Sequence, residues 1–279
     1  MKYCVTTYSF GKYAGELDIY EIIDRVAKQG FDGIEFADAG WRLDGISPGE
    51  LGKIGSYARE KGLETVDLCV GAELLNDPDG VKKTCENVDR AAALGVKMLR
   101  HDISSGKKGV SYASCVPFLA DRCREITSYA ESVGIRTMTE NHGYFSQDAD
   151  RVEALICAVN HRNFGALVDL GNFMCADEEP TVSTAKMMPY AFHVHAKDFL
   201  YKKGTEPYPG RGWFRTRAGN YLRGTVIGHG TAGIAQSVGT VVRSGYDGYL
   251  SVEFEGLEDV FDSIADGLEN LKRFVALNS

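Results

Sequence analysis

Ser132-Val133-Gly134-Ile135-Arg136-Thr137-Met138-Thr139-Glu140 joins the end of an amphipathic stretch to an apolar run through a single glycine. Glycine at the first position past a helix takes the left-handed conformation without a Cβ penalty, so the string reads as a helix stop followed by a strand. The same junction recurs at Gly30, Gly62, Gly95 and Gly245, each a few residues ahead of an apolar run such as Tyr249-Leu250-Ser251-Val252-Glu253. The intervals are about one βα unit. Helix starts agree with the stops: Ser47-Pro48-Gly49-Glu50 offers a capping serine, a first-turn proline and a glutamate three residues after the cap.

Working outward from these junctions places strands near 2–8, 33–36, 63–70, 96–101, 135–140, 165–170, 191–196 and 248–254. Alternating strands and helices imply a parallel sheet, and eight such units imply a closed (β/α)8 TIM barrel, a single domain over 1–279. A doubly wound open sheet is the competitor. It would carry its ligand at one switch point, and no glycine-rich phosphate loop follows the first strand here.

Composition restricts the function classes. Hydrophobic residues make up 44% and charged residues 25% of the 279, as in ordinary globular domains. A net charge of −8 argues against a nucleic-acid partner, which a basic patch would serve. No run approaches the roughly 18 consecutive apolar residues of a membrane span. Met1-Lys2-Tyr3 leads straight into a strand-like run, so the expectation is a cytoplasmic protein. Seven scattered cysteines without a Cys-x-x-Cys spacing read as reduced thiols.

Four charged or imidazole side chains close four of the apolar runs: Glu140, Asp169, His195 and Glu253. A charge at the end of a buried strand is costly unless it is paired or bound to a cation. In a TIM barrel all four lie at the C-terminal ends of the strands, the catalytic face. Carboxylates with one imidazole suit a single divalent metal.

On Glu140-Asn141-His142-Gly143, Val168-Asp169, His193-Val194-His195-Ala196-Lys197-Asp198 and Gly245–Glu253, with Gly30–Glu35 as a weaker marker, the chain resembles the xylose isomerase-like TIM barrel superfamily of sugar and sugar-phosphate isomerases and epimerases. It is similar in pattern to the D-tagatose 3-epimerase group over nearly its whole length. The resemblance implies one divalent ion (Mn2+, Mg2+, Co2+ or Zn2+) held by Glu140, Asp169, His195 and Glu253. It also implies proton abstraction beside a carbonyl, with Glu140 and Glu253 as the catalytic pair. The expected substrate is a small carbohydrate, with an anionic group such as a phosphate left open, and homo-oligomers are common among relatives. A metal-dependent lyase or dehydratase of a keto-sugar or inositol derivative starts with the same proton abstraction and remains the alternative. An endonuclease IV-like enzyme would need more histidines than the six present, and a non-enzymatic metal- or sugar-binding protein is the blandest reading.

The pattern departs from the epimerases at Asn172, where they carry histidine, and at Tyr201, where they carry arginine. His101 and His142 are candidates for the displaced hydroxyl contacts. His193 shares the interior face with His195, as a substrate contact or as support. Glu35 is either a substrate-facing carboxylate or half of a salt bridge, and Lys197 with Asp198 reads as a supporting pair or a cap. Residues 201–230 form the longest irregular stretch expected, with six basic residues and one acid. Such a loop suits a lid that brings Arg217 or a neighbouring arginine to an anionic substrate, or else a subunit contact.

Overall fold

The computed structural model describes residues 1–41 and 43–278. Eight parallel strands close into a barrel: β1 (Lys2–Thr6), β2 (Gly33–Ala37), β3 (Glu64–Val70), β4 (Met98–His101), β5 (Arg136–Glu140), β6 (Phe164–Asp169), β7 (Ala191–Ala196) and, last in the chain, β11 (Tyr249–Val252). β1 closes the ring by pairing with both β2 and β11. Helices α1 (Ile19–Lys28), α2 (Pro48–Glu60), α3 (Gly80–Leu94), α4 (Tyr112–Ser132), α5 (Ala149–Val159), α6 (Pro180–Met187), α7 (Ile234–Arg243) and α8 (Val260–Ala276) accompany the strands. All five junction glycines have the positive φ their reading requires: 80° at Gly30, 84° at Gly62, 83° at Gly95, 78° at Gly134 and 77° at Gly245.

The helices start where side-chain acceptors are available. Asp18 and Glu21 form a reciprocal capping box on α1, and Ser47 accepts from the Glu50 amide at the start of α2. The apolar stripes then pack on the outside of the barrel, with Ile22, Ile23, Val26, Ile54, Leu119 and Leu268 in one continuous core. Each such side chain contributes roughly 1.5–3 kcal/mol when fully buried. A smaller cluster of Ala37, Cys69, Met138 and Leu167 fills part of the interior.

Register decides what meets at the top of the barrel. A shift between Ala166 and Leu167 sets His195 beside Asp169 on one side, and β11 sets Ser251 beside it on the other. The Glu253 amide donates to the Ala196 carbonyl at 3.0 Å, extending that ladder one residue past β11.

The stretch 201–230 differs from expectation. It contains strands rather than an irregular loop: β8 (Asp198–Lys202), β9 (Phe214–Arg215) and β10 (Tyr221–Thr225) form an antiparallel sheet in the order β8-β10-β9. Phe199, Leu222 and Cys175 make its small apolar core. Its charged and turn-forming residues hide the strand pattern, because only one face of so short a sheet needs to be apolar.

Candidate metal centre

Glu140, Asp169, His195 and Glu253 converge. One donor atom from each lies within 4.8 Å of every other, and all four side chains are buried. Asn141 holds the backbone around Asp169 from both sides: its Nδ2 donates to the Asp169 carbonyl and its Oδ1 accepts from the Asp169 amide, both at 2.9 Å. Asp169 Oδ1 accepts from the amides of Gly171 and Asn172 at 2.7 and 2.8 Å. Its other oxygen, Oδ2, is buried and has no hydrogen-bond partner. A buried carboxylate oxygen without a donor is expensive unless a cation is close. Burial first, and then the charges of Glu253 and Glu140 against that of Lys197, push the Asp169 carboxyl up to about 7.

His195 bridges two carboxylates. Its Nδ1 lies 2.7 Å from Glu253 Oε2 and 4.0 Å from Asp169 Oδ2, and its Nε2 lies 2.6 Å from Glu35 Oε2. Burial disfavours its charged form, yet Glu35 and Glu253 outweigh that and raise its basicity well above the ordinary histidine range. The orientation leaves Nδ1 toward Glu253 and Asp169, with Glu35 at Nε2 fixing the ring from behind, the arrangement that supports metal-bound histidines. Three carboxylates and one imidazole are an appropriate donor set for Mn2+, Mg2+, Co2+ or Zn2+.

Two cations stand at the edge of this group. Lys197 Nζ lies 2.5 Å from Glu253 Oε1, 3.5 Å from Glu255 and 3.8 Å from Asp169 Oδ2. Burial opposes ionisation of Glu253, but Lys197 and His195 hold its carboxyl down at about 2. Arg100 Nη2 bridges Glu140 Oε2 at 2.6 Å and Asp102 Oδ1 at 2.9 Å. Asp102 in turn meets His142 Nδ1 at 2.9 Å. These contacts sit in a cavity of about 280 Å3 whose walls include Tyr8, Tyr144, Gln147 and Phe214.

The other sequence candidates divide. His142 is half-exposed and lines the cavity. Asn172 lines it too, but its side chain works on the ligands: Nδ2 donates to Glu140 Oε1 at 2.8 Å and Oδ1 accepts from Lys197 at 3.3 Å. Glu35 lines the cavity, as a substrate-facing carboxylate would, but it is fully buried against His193 and His195, and in the salt-bridge reading these two histidines take the place of a loop cation. His193 is fully buried and absent from the cavity wall. His101 also lies away from it, with Nδ1 against the Asp102 carbonyl at 2.9 Å and its ring near Phe164. Arg217 pairs with Asp148 at 2.5 Å and with the Tyr144 carbonyl, fastening the extra sheet to the barrel rim. Of residues 201–230, only Phe214 reaches the cavity wall. Lys197 and Asp198 do not pair: Asp198 accepts from the amides of Phe199, Gly228, Gly230 and Ala232, while Lys197 turns inward.

Arg100 and Asp102 escaped sequence reading. Arg100 ends an apolar run as Glu140 does, and that shared position was the available signal.

The family model of the xylose isomerase-like TIM barrel matches residues 23–274. The chain belongs to this family. No protein of curated function matches it significantly. Three solved structures illustrate the range of its structural relatives. A xylose isomerase-like TIM barrel protein from Mycobacterium smegmatis, in complex with magnesium, is 18% identical with TM-score 0.76, over 100% of this chain and 98% of that one. The probable 3-DHS dehydratase AsbF from Bacillus anthracis is 18% identical with TM-score 0.78, over 98% and 99%. A D-psicose 3-epimerase from Clostridium cellulolyticum, with D-tagatose, is 16% identical with TM-score 0.77, over 99% of each chain. At these identities the likeness concerns the fold.

Proposed function

We propose that this chain is a divalent-metal-dependent isomerase or epimerase of a small polyhydroxy carbonyl compound, working by proton transfer at the carbon next to the carbonyl. The observation that carries the reading is the convergence of Glu140, Asp169, His195 and Glu253, with an Asp169 Oδ2 that accepts no hydrogen bond among them. A cation bound by these four residues would polarise the carbonyl and stabilise the negative charge that follows deprotonation.

The chain's own groups supply the rest. Glu140 and Glu253 are the candidates to take and return the proton, since each has a carboxylate in the cavity wall. Arg100 and Asn172 hold Glu140 in place, as Lys197 and His195 hold Glu253. Tyr8, Tyr144 and Phe214 offer aromatic surface to the apolar face of a sugar ring. The cavity is close to the lower end of the range for small-molecule sites, about 300 Å3, which favours a single small sugar over an oligosaccharide.

Incubating the Mn2+-loaded protein with a panel of ketoses, keto-acids and their phosphates in heavy water tests the reading. Deuterium should appear at a carbon beside a carbonyl, and Glu253→Gln should abolish its uptake. Absence of exchange across the panel in protein shown to hold metal would overturn it. A dehydratase reading rests on one further observation: the Lys197 ammonium, 2.5 Å from Glu253, stands where it could protonate a departing hydroxyl or hold a carboxylate. A product lighter by one water would favour it.

A further inference from the structure

One layer below the four convergent residues, the barrel interior holds a second group of metal-ligand types. Cys4 on β1, Glu35 on β2 and His193 on β7 each offer a donor atom within 4.8 Å of the other two, and all three are fully buried. Asp67 and Cys69 on β3 flank them, with the Cys69 thiol 3.5 Å from both Glu35 Oε1 and Asp67 Oδ2. Polar atoms buried without a partner in this layer include His193 Nδ1 and Asp67 Oδ1. Unpaired buried atoms of this kind are costly, so something is expected to meet them.

Charge sharpens the point. The groups in contact with the Glu35 carboxylate are His193, His195, Cys69 and Asp67. If His195 gives its Nδ1 lone pair to an ion in the upper group, its ring is neutral and no longer balances Glu35. That step rests on the reading under Proposed function. Two buried carboxylates, Glu35 and Asp67, would then share the core with thiols and neutral imidazoles, and a bare buried charge is strongly disfavoured.

We propose that Cys4, Glu35 and His193 form a second cation site in the barrel core, suited to Zn2+ and linked to the upper site through the Glu35–His195 contact. Thiolate, carboxylate and imidazole are all ligand types of zinc. The upper group contains no sulfur and suits harder ions, so the two sites differ in kind. Cys4 and His193 are fully buried and absent from the cavity wall, so the lower ion enters as the barrel closes, which couples its binding to folding. The competing solution to the same charge problem is a proton shared between Glu35 and Asp67, with no metal below.

Co2+ separates these outcomes, because a thiolate ligand produces a near-ultraviolet charge-transfer band that oxygen and nitrogen ligands do not. The full chain, carrying Cys157→Ser to remove the exposed thiol, is unfolded in chelator and refolded with Co2+ alone. The proposal predicts two equivalents per chain and the thiolate band. Cys4→Ser should remove the band and one equivalent, whereas Asp169→Asn should keep the band and lose the other equivalent. One equivalent without a band is the shared-proton outcome and overturns the proposal, as does a band that survives Cys4→Ser. The first of these readouts needs no variant in the core and stands even if Cys4→Ser fails to fold. If the band is present but Asp169→Asn leaves both equivalents, the upper metal site fails and the lower one stands.

Discussion

The four ligand candidates and the segment from Tyr201 to Gly230 are both dense in charge, and they use it in opposite ways. At the barrel mouth the charges are buried and crowded with like charges, and one oxygen of Asp169 accepts no hydrogen bond. Along 201–230 four of the basic groups find partners at the surface. Arg217 pairs with Asp148, Arg223 with Glu258 and Lys202 with Glu206, and Arg215 lies over the Tyr221 ring. Exposed pairs of that sort contribute about 0–1 kcal/mol each, so the segment's charge does little beyond docking it. Chemistry is indicated where burial makes a charge unaffordable alone, more than where charges are numerous.

The sharpest way to break the comparison is Asp169→Asn. It keeps the shape and the contact to the Gly171 and Asn172 amides but removes the charge at the oxygen that accepts no hydrogen bond. Metal affinity measured by calorimetry should fall more than about 100-fold, since even outer partners of metal ligands are worth about 10–100-fold. Unchanged affinity would mean that the mouth is merely a buried ion-pair network.

Glu35→Gln tests the support behind His195. Metal affinity at the upper site should fall by about 10–100-fold, because the ring loses the carboxylate at its Nε2. A variant that binds metal as the native protein does would sever Glu35 from the site.

His101 gives a contrast within one strand, since Arg100 faces the mouth while His101 is buried against the Asp102 carbonyl and Phe164. Burial holds its imidazole down at about 4, against an ordinary 6.5. The folded state therefore resists the proton that the unfolded chain accepts. Stability should be full above about pH 6.5 and fall as the pH drops toward 4, by about 3 kcal/mol in all. Denaturant unfolding at pH 7 and pH 4.5 measures this, and His101→Gln should flatten the difference. A pH dependence unaffected by that variant would show that His101 is solvated.

Arg217→Ala should have the smallest effect. Its ion pair with Asp148 is partly exposed, so stability should change by under about 1 kcal/mol and metal content should not change. A large rise in KM for any substrate found would restore an arginine clamp to this segment and reverse the contrast drawn above.

Much of the candidate site was legible in the sequence because barrel strands end at one face. Glu140, Asp169, His195 and Glu253 could be grouped from their positions at the ends of apolar runs. His142 was legible for the same reason, two residues beyond Glu140. Direction along the strand was harder to read. His101 ends β4, yet its side chain lies outside the cavity, and the preceding residue, Arg100, reaches Glu140. Strand residues alternate between faces, so an error of one position in register exchanges a cavity residue for a buried one. The 201–230 sheet was missed because its strands are short and partly exposed.

The junction glycines, the capping residues and the strand-end acids determined by themselves that this chain is a (β/α)8 barrel with a charged mouth, because turn conformation and side-chain periodicity are local properties. The tertiary structure alone decided which charges share a volume. Lys197 turned inward to Glu253 while Asp198 capped the loop at 228–232, Arg217 went to the rim, and Glu35 was set against His193 and His195 from the far side of the barrel. Those pairings join residues up to 160 positions apart. Their energies depend on burial and on distances of a few ångströms, which exist only once the ring of strands has closed.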